Sequence, residues 1–428
     1  LSPSRSLALR GLTLLCLLAA LCRPEGLHAQ AERFAECGLR RTPAQAAQWR
    51  AWLDGATLRD PGTVSGPTAS AASWRGIDLP VRHHVVRSAD GLGGLSAEAC
   101  TAILDTLNHF FAPAGIRFYA CGPVHEIRSD AFYRLSTLDE EALCGPHDQA
   151  GAINLYYVDE LLMGPMGICG YAYFPGGKDR ILLDADCAIN GNTVVHEMGH
   201  YLGLEHTHGA DQGFPELVSG ENCGSAGDGL CDTPADPGLS YLTVSSGCLY
   251  TGTQRDADGL DYRPDTRNFM SYSRLGCRRS FSPDQYDRMA LVARVARAGL
   301  SCACAPPTAL SSAVREDRAR LSWSGPDGAR FQLAGGPEGG PQGLLATARA
   351  ERTLAGLRPS TTYAWKVRAR CADGAETPFS WPDTFRTPAP RQAAAPASGG
   401  GLRTLAPNPA LDRVRLTWRQ PEAGLLEL

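Results

Sequence analysis

Apolar residues along this chain keep two rhythms. Ile103, Leu104, Leu107, Phe110 and Phe111 recur at spacings of three and four, the stripe of an amphipathic helix, with Ser96 standing where an N-cap belongs. Short apolar runs at 81–86, 153–158 and 181–183 predict strands, and Gly170-Tyr171-Ala172-Tyr173-Phe174-Pro175 reads as a further short strand closed by Pro and Gly. Strands and helices alternate in this way from residue 79 to about 302, which predicts an α+β domain. From about 306 to 388 the pattern becomes turn-rich, with β runs at 320–323, 331–333 and 363–369, as in a β-sandwich. An Ala/Arg-rich stretch with a helical patch at 45–53 and a Gly/Ser/Thr loop precedes the first domain. A linker of Ala, Pro, Ser and Gly follows the second at 391–401.

Composition narrows the setting. Forty-one basic against 45 acidic residues give a net charge of −4, so the chain lacks the basic excess that nucleic-acid binding requires. Fifteen cysteines point to an oxidising compartment or to metal sites. Arg5 and Arg10 precede an apolar run at 12–21, and Leu27-His28-Ala29 supplies a small-residue cleavage point, so residues 1–29 read as a secretory signal peptide. That run is too short to cross ~30 Å of hydrocarbon as a helix, and no later stretch is long and apolar enough to span a membrane. Position 1 is Leu, as expected of a fragment or an alternative start.

The chemistry concentrates at 194–206. His196-Glu197-Met198-Gly199-His200 places two imidazoles one helical turn apart on one face, as two ligands of one zinc ion must stand. His206 would lie about 9 Å further along a continuing helix and roughly 120° round. It joins the others only if the chain turns sharply at Gly203, where the absent Cβ permits positive φ. Three neutral imidazoles leave the fourth zinc position open to water, the arrangement of a catalytic site, and Glu197 stands beside it as general base. The five-residue core alone would arise by chance on the order of once in a hundred such chains; Gly203 and His206 make chance far rarer.

This pattern resembles the metzincin signature. Downstream, Asn268-Phe269-Met270-Ser271-Tyr272 matches the family's methionine turn, and with Cys231-Asp232-Thr233-Pro234 it resembles the pappalysins, most closely the ulilysin-like bacterial members, over roughly residues 79–300. Phe281-Ser282-Pro283-Asp284-Gln285 with Arg288-Met289 extends the likeness, and astacins and matrixins fit the cysteine order less well. The resemblance implies a secreted zinc endopeptidase that hydrolyses peptide bonds of proteins through a zinc-bound water. Its catalytic domain, at 77–303, would have a mixed twisted sheet, backing and active-site helices and a loop-rich lower subdomain. It implies Met270 beneath the metal and Tyr272 as a donor to the oxyanion, against the alternative of a packed aromatic. It further implies crossed disulfides Cys223–Cys248 and Cys231–Cys277, and calcium bound near Asp228 and Asp232. Asp256-x-Asp258-Gly259 has the look of a calcium loop without its remaining ligands, and reads as a solvated turn. Residues 170–175 are the candidate for the cleft strand to which substrate adds, an internal strand being the alternative.

Losing Cys16 and Cys22 with the signal leaves thirteen cysteines, an odd number. Cys37, in a propeptide at 30–76, matches the cysteine that several metzincins keep on the zinc, although either of Cys302 and Cys304 could be the odd one instead. Residues 304–390, with Trp323, Tyr363, Trp365, Val367 and Phe385, resemble a fibronectin type III sandwich. Residues 402–428 resemble the start of a type IX sorting domain, truncated, which would imply cell-surface sorting. The alternative to an enzyme is a surface adhesion protein whose metzincin domain is inactive. Intact ligands, base, methionine turn and tyrosine favour the enzyme.

Overall fold

A computed structural model describes residues 34–35, 37, 49, 51–53, 55, 76–209 and 215–390. The signal segment 1–29, most of 30–76, the linker 391–401 and the tail 402–428 lie outside the described residues. The chain divides into two compact units, Leu1–Cys302 and Ala303–Leu428. Among the described residues no helix is long and apolar enough to cross a membrane.

The first unit is built on a six-stranded sheet. Its strands are β2 (Ile77–Arg87), β3 (Ile116–Ala120), β4 (His125–Arg128), β6 (Ile153–Val158), β9 (Gly170–Ala172) and β10 (Arg180–Asp184), in the order β3-β2-β6-β10-β9 with β4 beside β2. All pairings are parallel except β9, which runs antiparallel to β10 at the outer edge. Every residue of β6 and β10 is buried, as in a parallel sheet covered on both faces. One face carries Val81, Val85, Leu155, Ile181 and Leu183 against the helices; the other carries Val86, Tyr156, Val158 and Leu182.

Helix α1 (Ala97–Phe111) starts at Ser96, whose hydroxyl accepts from the Ala99 N–H, and buries Ile103, Leu107 and Phe111 on the first face. Helix α2 (Asn192–Tyr201) lies on the same face and is buried from Thr193 onward. Helix α3 (Pro283–Val295) opens with a full capping box between Ser282 and Gln285. Asp232 reinforces that start by accepting from Ser282 Oγ and from the Asp284 N–H, both at 2.8 Å.

A smaller sheet stands beside this core. It comprises β1 (Phe34–Ala35), β5 (Arg134–Ser136), β7 (Glu160–Met163) and β8 (Met166–Ile168) in the order β1-β8-β7-β5. The two-residue strand β1 lies parallel to β8, Phe34 opposite Gly167 and Ala35 opposite Ile168.

The loop-rich stretch after α2 corrects the expected disulfides. The bonds are Cys223–Cys231 and Cys248–Cys277, sequential and not crossed. Consecutive turns between 222 and 229 fold Cys223 back onto Cys231, with Cα atoms 5.0 Å apart. The bridge between Val244 and Tyr250 curls the chain at Cys248, where φ is +62°, and presents its sulfur to Cys277 at a Cα separation of 5.5 Å. Cys121–Cys302, Cys169–Cys187 and Cys304–Cys371 complete five bonds among the described residues, so Cys302 and Cys304 are both bonded. Cys100 and Cys144 stay buried as thiols, a use of cysteine as a small apolar residue that counting could not separate from pairing.

The second unit holds two antiparallel sheets. Thr308–Arg315, Arg318–Ser324 and Glu351–Leu354 form one; Gly343–Thr347, Arg330–Pro337, Thr362–Arg370 and Asp383–Arg386 form the other. Trp323, Phe331, Tyr363, Trp365, Val367 and Phe385 share a core between them. The Tyr363 hydroxyl accepts from the Arg358 N–H at 2.9 Å.

Candidate active site

The site forms where α2 ends. His196, Glu197 and His200 are all within 1% of fully buried on that helix. The helix stops because the N–H groups of Leu202, Gly203 and Leu204 return to the carbonyls of Met198, His200 and Gly199, a closing turn that needs positive φ. Gly203 supplies it at +87°. A Cβ there would also meet the Trp49 ring at 2.5 Å. The chain then doubles back and brings His206 beside the helix.

The three imidazoles converge. Nε2 of His200 lies 3.1 Å from that of His196 and 3.0 Å from that of His206, and the third separation is 3.3 Å. The opposite nitrogens are held by backbone carbonyls: His196 Nδ1 donates to Phe269 (2.7 Å) and His200 Nδ1 to Leu204 (2.8 Å). These bonds fix the tautomer with the proton on Nδ1 and leave bare lone pairs aimed at one point. Burial pushes His196 down to about 4, which keeps it neutral.

Glu197 faces the same space. Burial pushes its carboxyl up to about 8, partly offset by the Cys37 thiol, whose Sγ is 3.8 Å from Oε2. Oε1 is buried with no hydrogen-bond partner. Such an orphaned oxygen is costly unless a group outside the chain engages it. Cys37 Sγ and the three Nε2 atoms all lie within 4.8 Å of one another, the one such group of possible metal ligands among the described residues.

The methionine turn lies directly beneath. Asn268 is its pivot, taking the Met270 N–H on Oδ1 (2.9 Å) and donating from Nδ2 to Gln285 (2.9 Å). The turn thus presents the Phe269 carbonyl to His196 and the buried Met270 sulfur to the helix. A Cβ on Gly199 would sit 2.6 Å from that sulfur, so the helix approaches the turn as closely as it does only with glycine at 199. Tyr272 packs its ring edgewise on His206, 4.6 Å between centroids.

Asp228 and Asp232 are not among the ligand atoms gathered at this centre. Asp228 is buried and accepts from Thr233 Oγ1, the Leu230 N–H and Gln285 Nε2. Burial pushes it up to about 7. Its acidic neighbour Glu216 is pushed up to about 8 by burial and by the charges of Asp228 and Asp236; Oε2 of Glu216 has no hydrogen-bond partner. Asp256 forms a turn closed on the N–H groups of Asp258 and Leu260. Sequence reasoning missed Gly199, Asn268 and Glu216. Gly199 sat inside the histidine motif and Asn268 opened the methionine-turn motif, whereas nothing local marks Glu216.

Residues 147–294, which hold the three imidazoles, Glu197 and the methionine turn, match the family described as Pregnancy-associated plasma protein-A. An extracellular metalloprotease of Pyricularia oryzae is 30% identical over 254 residues, covering 55% of this chain and 81% of the relative. The chain belongs to the pappalysin family of metalloproteases. Other relatives of the same printed description are one from Arthroderma benhamiae, 28% identical over 55% of this chain and 85% of its own, and one from Colletotrichum graminicola, 29% identical over 53% and 78%. The donor set suits zinc: three convergent imidazole nitrogens, two of them in rings whose tautomer a backbone carbonyl fixes, beside a carboxylate.

Proposed function

We propose that the chain is a secreted zinc endopeptidase held latent by its own N-terminal segment. The convergence of three Nε2 atoms within 3.3 Å beside the orphaned Glu197 oxygen carries this reading. The relatives' extracellular description supports secretion.

A zinc ion held by His196, His200 and His206 would supply a Lewis acid for the scissile carbonyl and acidify water. Glu197 takes the proton from the attacking water at its free Oε1 and returns it to the leaving amine. A dication beside it favours the carboxylate, against the burial that raises its pKa. Tyr272, on the flank of His206, donates its hydroxyl to the developing oxyanion. Substrate lies along β9, the edge strand within 170–175, taking main-chain hydrogen bonds as an added strand. β1 already takes such bonds from β8, and two residues later Cys37 reaches the ligand cluster, so the propeptide fills the cleft in the manner of a substrate.

Calcium is placed with Asp228 and its acidic neighbour Glu216, both raised by burial and Glu216 further by Asp228 and Asp236, in preference to Asp232, whose two oxygens accept from the start of α3. The second unit is a fibronectin type III-like sandwich, supported by its two sheets, shared aromatic core and the Tyr363 hydroxyl bond. It is a binding module outside the chemistry.

The test is digestion of a mixed peptide library by the chain trimmed to about residue 77, read by mass spectrometry, beside Glu197→Ala. The parent should cleave, and the variant should fall by about 10²–10⁴-fold. A folded, zinc-supplied parent that cleaves nothing would move the chain to the adhesion reading.

A further inference from the structure

The N-terminal segment seats a side chain in the catalytic domain away from the imidazole triad. Trp49 is 6% exposed and joins the core that also holds Phe174, Leu202, Leu204 and Val292. Its six-membered ring lies over Gly203, where a Cβ would meet Cζ2 at 2.5 Å and Cη2 at 2.9 Å. Val292 Cγ2, from α3, closes on the same point at 3.0 Å. Phe174 forms a further wall, edge-on to Trp49 at 6.1 Å between centroids, and Trp52 stacks on the Trp49 ring at 4.9 Å.

This cradle holds a ring by apolar contact. Trp49 Nε1 is buried with no hydrogen-bond partner among the described residues, although a buried indole N–H usually finds one. Glycine at 203 serves twice, for its φ of +87° and for the space the ring takes. Phe174, Gly203 and Val292 all lie within 77–303, whereas Trp49 and Trp52 belong to the segment at 30–76. Trimming that segment removes both tryptophans and uncovers the apolar surface of the three walls, a patch that favours a new apolar occupant over water.

The cradle adjoins the catalytic centre. Phe174 follows β9 by two residues, and its ring packs on that of His200 at 5.6 Å between centroids. One aromatic ring thus separates the cradle from the imidazole triad. An extended polypeptide paired with β9 covers that distance in about three residues, at ~3.3 Å each. Resting on the peptidase reading above, we propose that the cradle is a substrate subsite for an aromatic side chain, filled by Trp49 until the segment is removed. Because Phe174 stands between it and His200, the subsite receives a residue beyond the two that flank the cleaved bond.

The test uses the full chain, expressed whole and then trimmed at about residue 77 by limited proteolysis. In a mixed peptide library, Trp, Phe and Tyr should be enriched at one fixed position other than the two flanking the cut. Two peptides that differ only there, Phe against Ala, should differ in kcat/KM by about tenfold or more. Val292→Phe, which fills the cradle from α3, should bring that ratio close to unity. A synthetic peptide of residues 43–56, which omits Cys37, should inhibit the trimmed parent, and its Trp49→Ala form should inhibit about tenfold more weakly. Cleavage with no aromatic preference beyond the flanking positions, or equal inhibition by the two peptides, overturns the subsite and leaves the peptidase standing. The inhibition arm needs no variant enzyme, so it decides even if Val292→Phe fails to fold. A folded, zinc-supplied parent that cleaves nothing overturns the peptidase reading and the subsite together.

Discussion

Glu216 bears a cost that its protein neighbours do not offset. It is 4% exposed, its Oε2 meets no donor, and Asp228 and Asp236 add like charge. Folding raises Glu216 to about 8 and Asp228 to about 7, from ordinary carboxyl values near 4. Between those limits the native state holds protons that the unfolded chain has released, so stability is fully present at the acid end and falls as pH rises. A cation bound beside Glu216 and Asp228 would remove that loss. In calcium-free buffer the melting temperature should therefore drop by several degrees from pH 5 to pH 8, and calcium added at pH 8 should restore it. Glu216→Gln should flatten the slope and abolish the calcium response. A parent that ignores calcium at pH 8 removes that ion from the proposed function.

At the scale of elements, contacts beyond Cys37 join the described residues of the N-terminal segment to the catalytic cleft. Trp49 is buried, stacked on Trp52 at 4.9 Å, and meets Phe174 edge-on at 6.1 Å; Phe174 in turn packs on His200. Its ring also covers Gly203. Truncating a buried aromatic of this kind costs about 3–5 kcal/mol, here taken mostly from docking of the segment. In the unprocessed chain, peptide turnover should rise with Cys37→Ser, rise with Trp49→Ala, and rise furthest in the double variant, with the trimmed enzyme as the upper limit. Turnover unchanged in all three would place latency elsewhere. How much of this was readable follows from where the information sits. Strands β2, β6 and β10 announce themselves by continuous apolar runs, helix α1 by period, and the imidazole triad by spacing within one helix and its turn. The three- and four-residue strands β5, β7 and β8 carry no period of their own and exist through their partners. Phe269 and Leu204 act through carbonyls, which no side chain signals. The Cys223, Cys231, Cys248 and Cys277 set allows three pairings, and only the path of the loops selects one.

At the scale of the whole molecule, the covalent and packing boundaries coincide. Cys121–Cys302 closes the first unit and Cys304–Cys371 belongs to the second, so a cut between 302 and 304 leaves all five disulfides intact. Each unit has its own hydrophobic core, and every residue assigned to chemistry lies before 302. Units of this kind fold and melt independently. Residues 77–302 alone should then cleave short peptides with kcat/KM within about twofold of the chain that continues to 428, because transition-state contacts are unchanged. Calorimetry of the longer chain should show two transitions, of which the shorter one retains a single, calcium-responsive transition. Large protein substrates are the discriminating case. If the second unit is a binding module, its removal raises KM for a protein substrate it engages and leaves kcat alone, since uniform binding is all that is lost. A tenfold fall in short-peptide turnover on its removal would instead make the second unit part of the catalytic machinery and overturn the division drawn here.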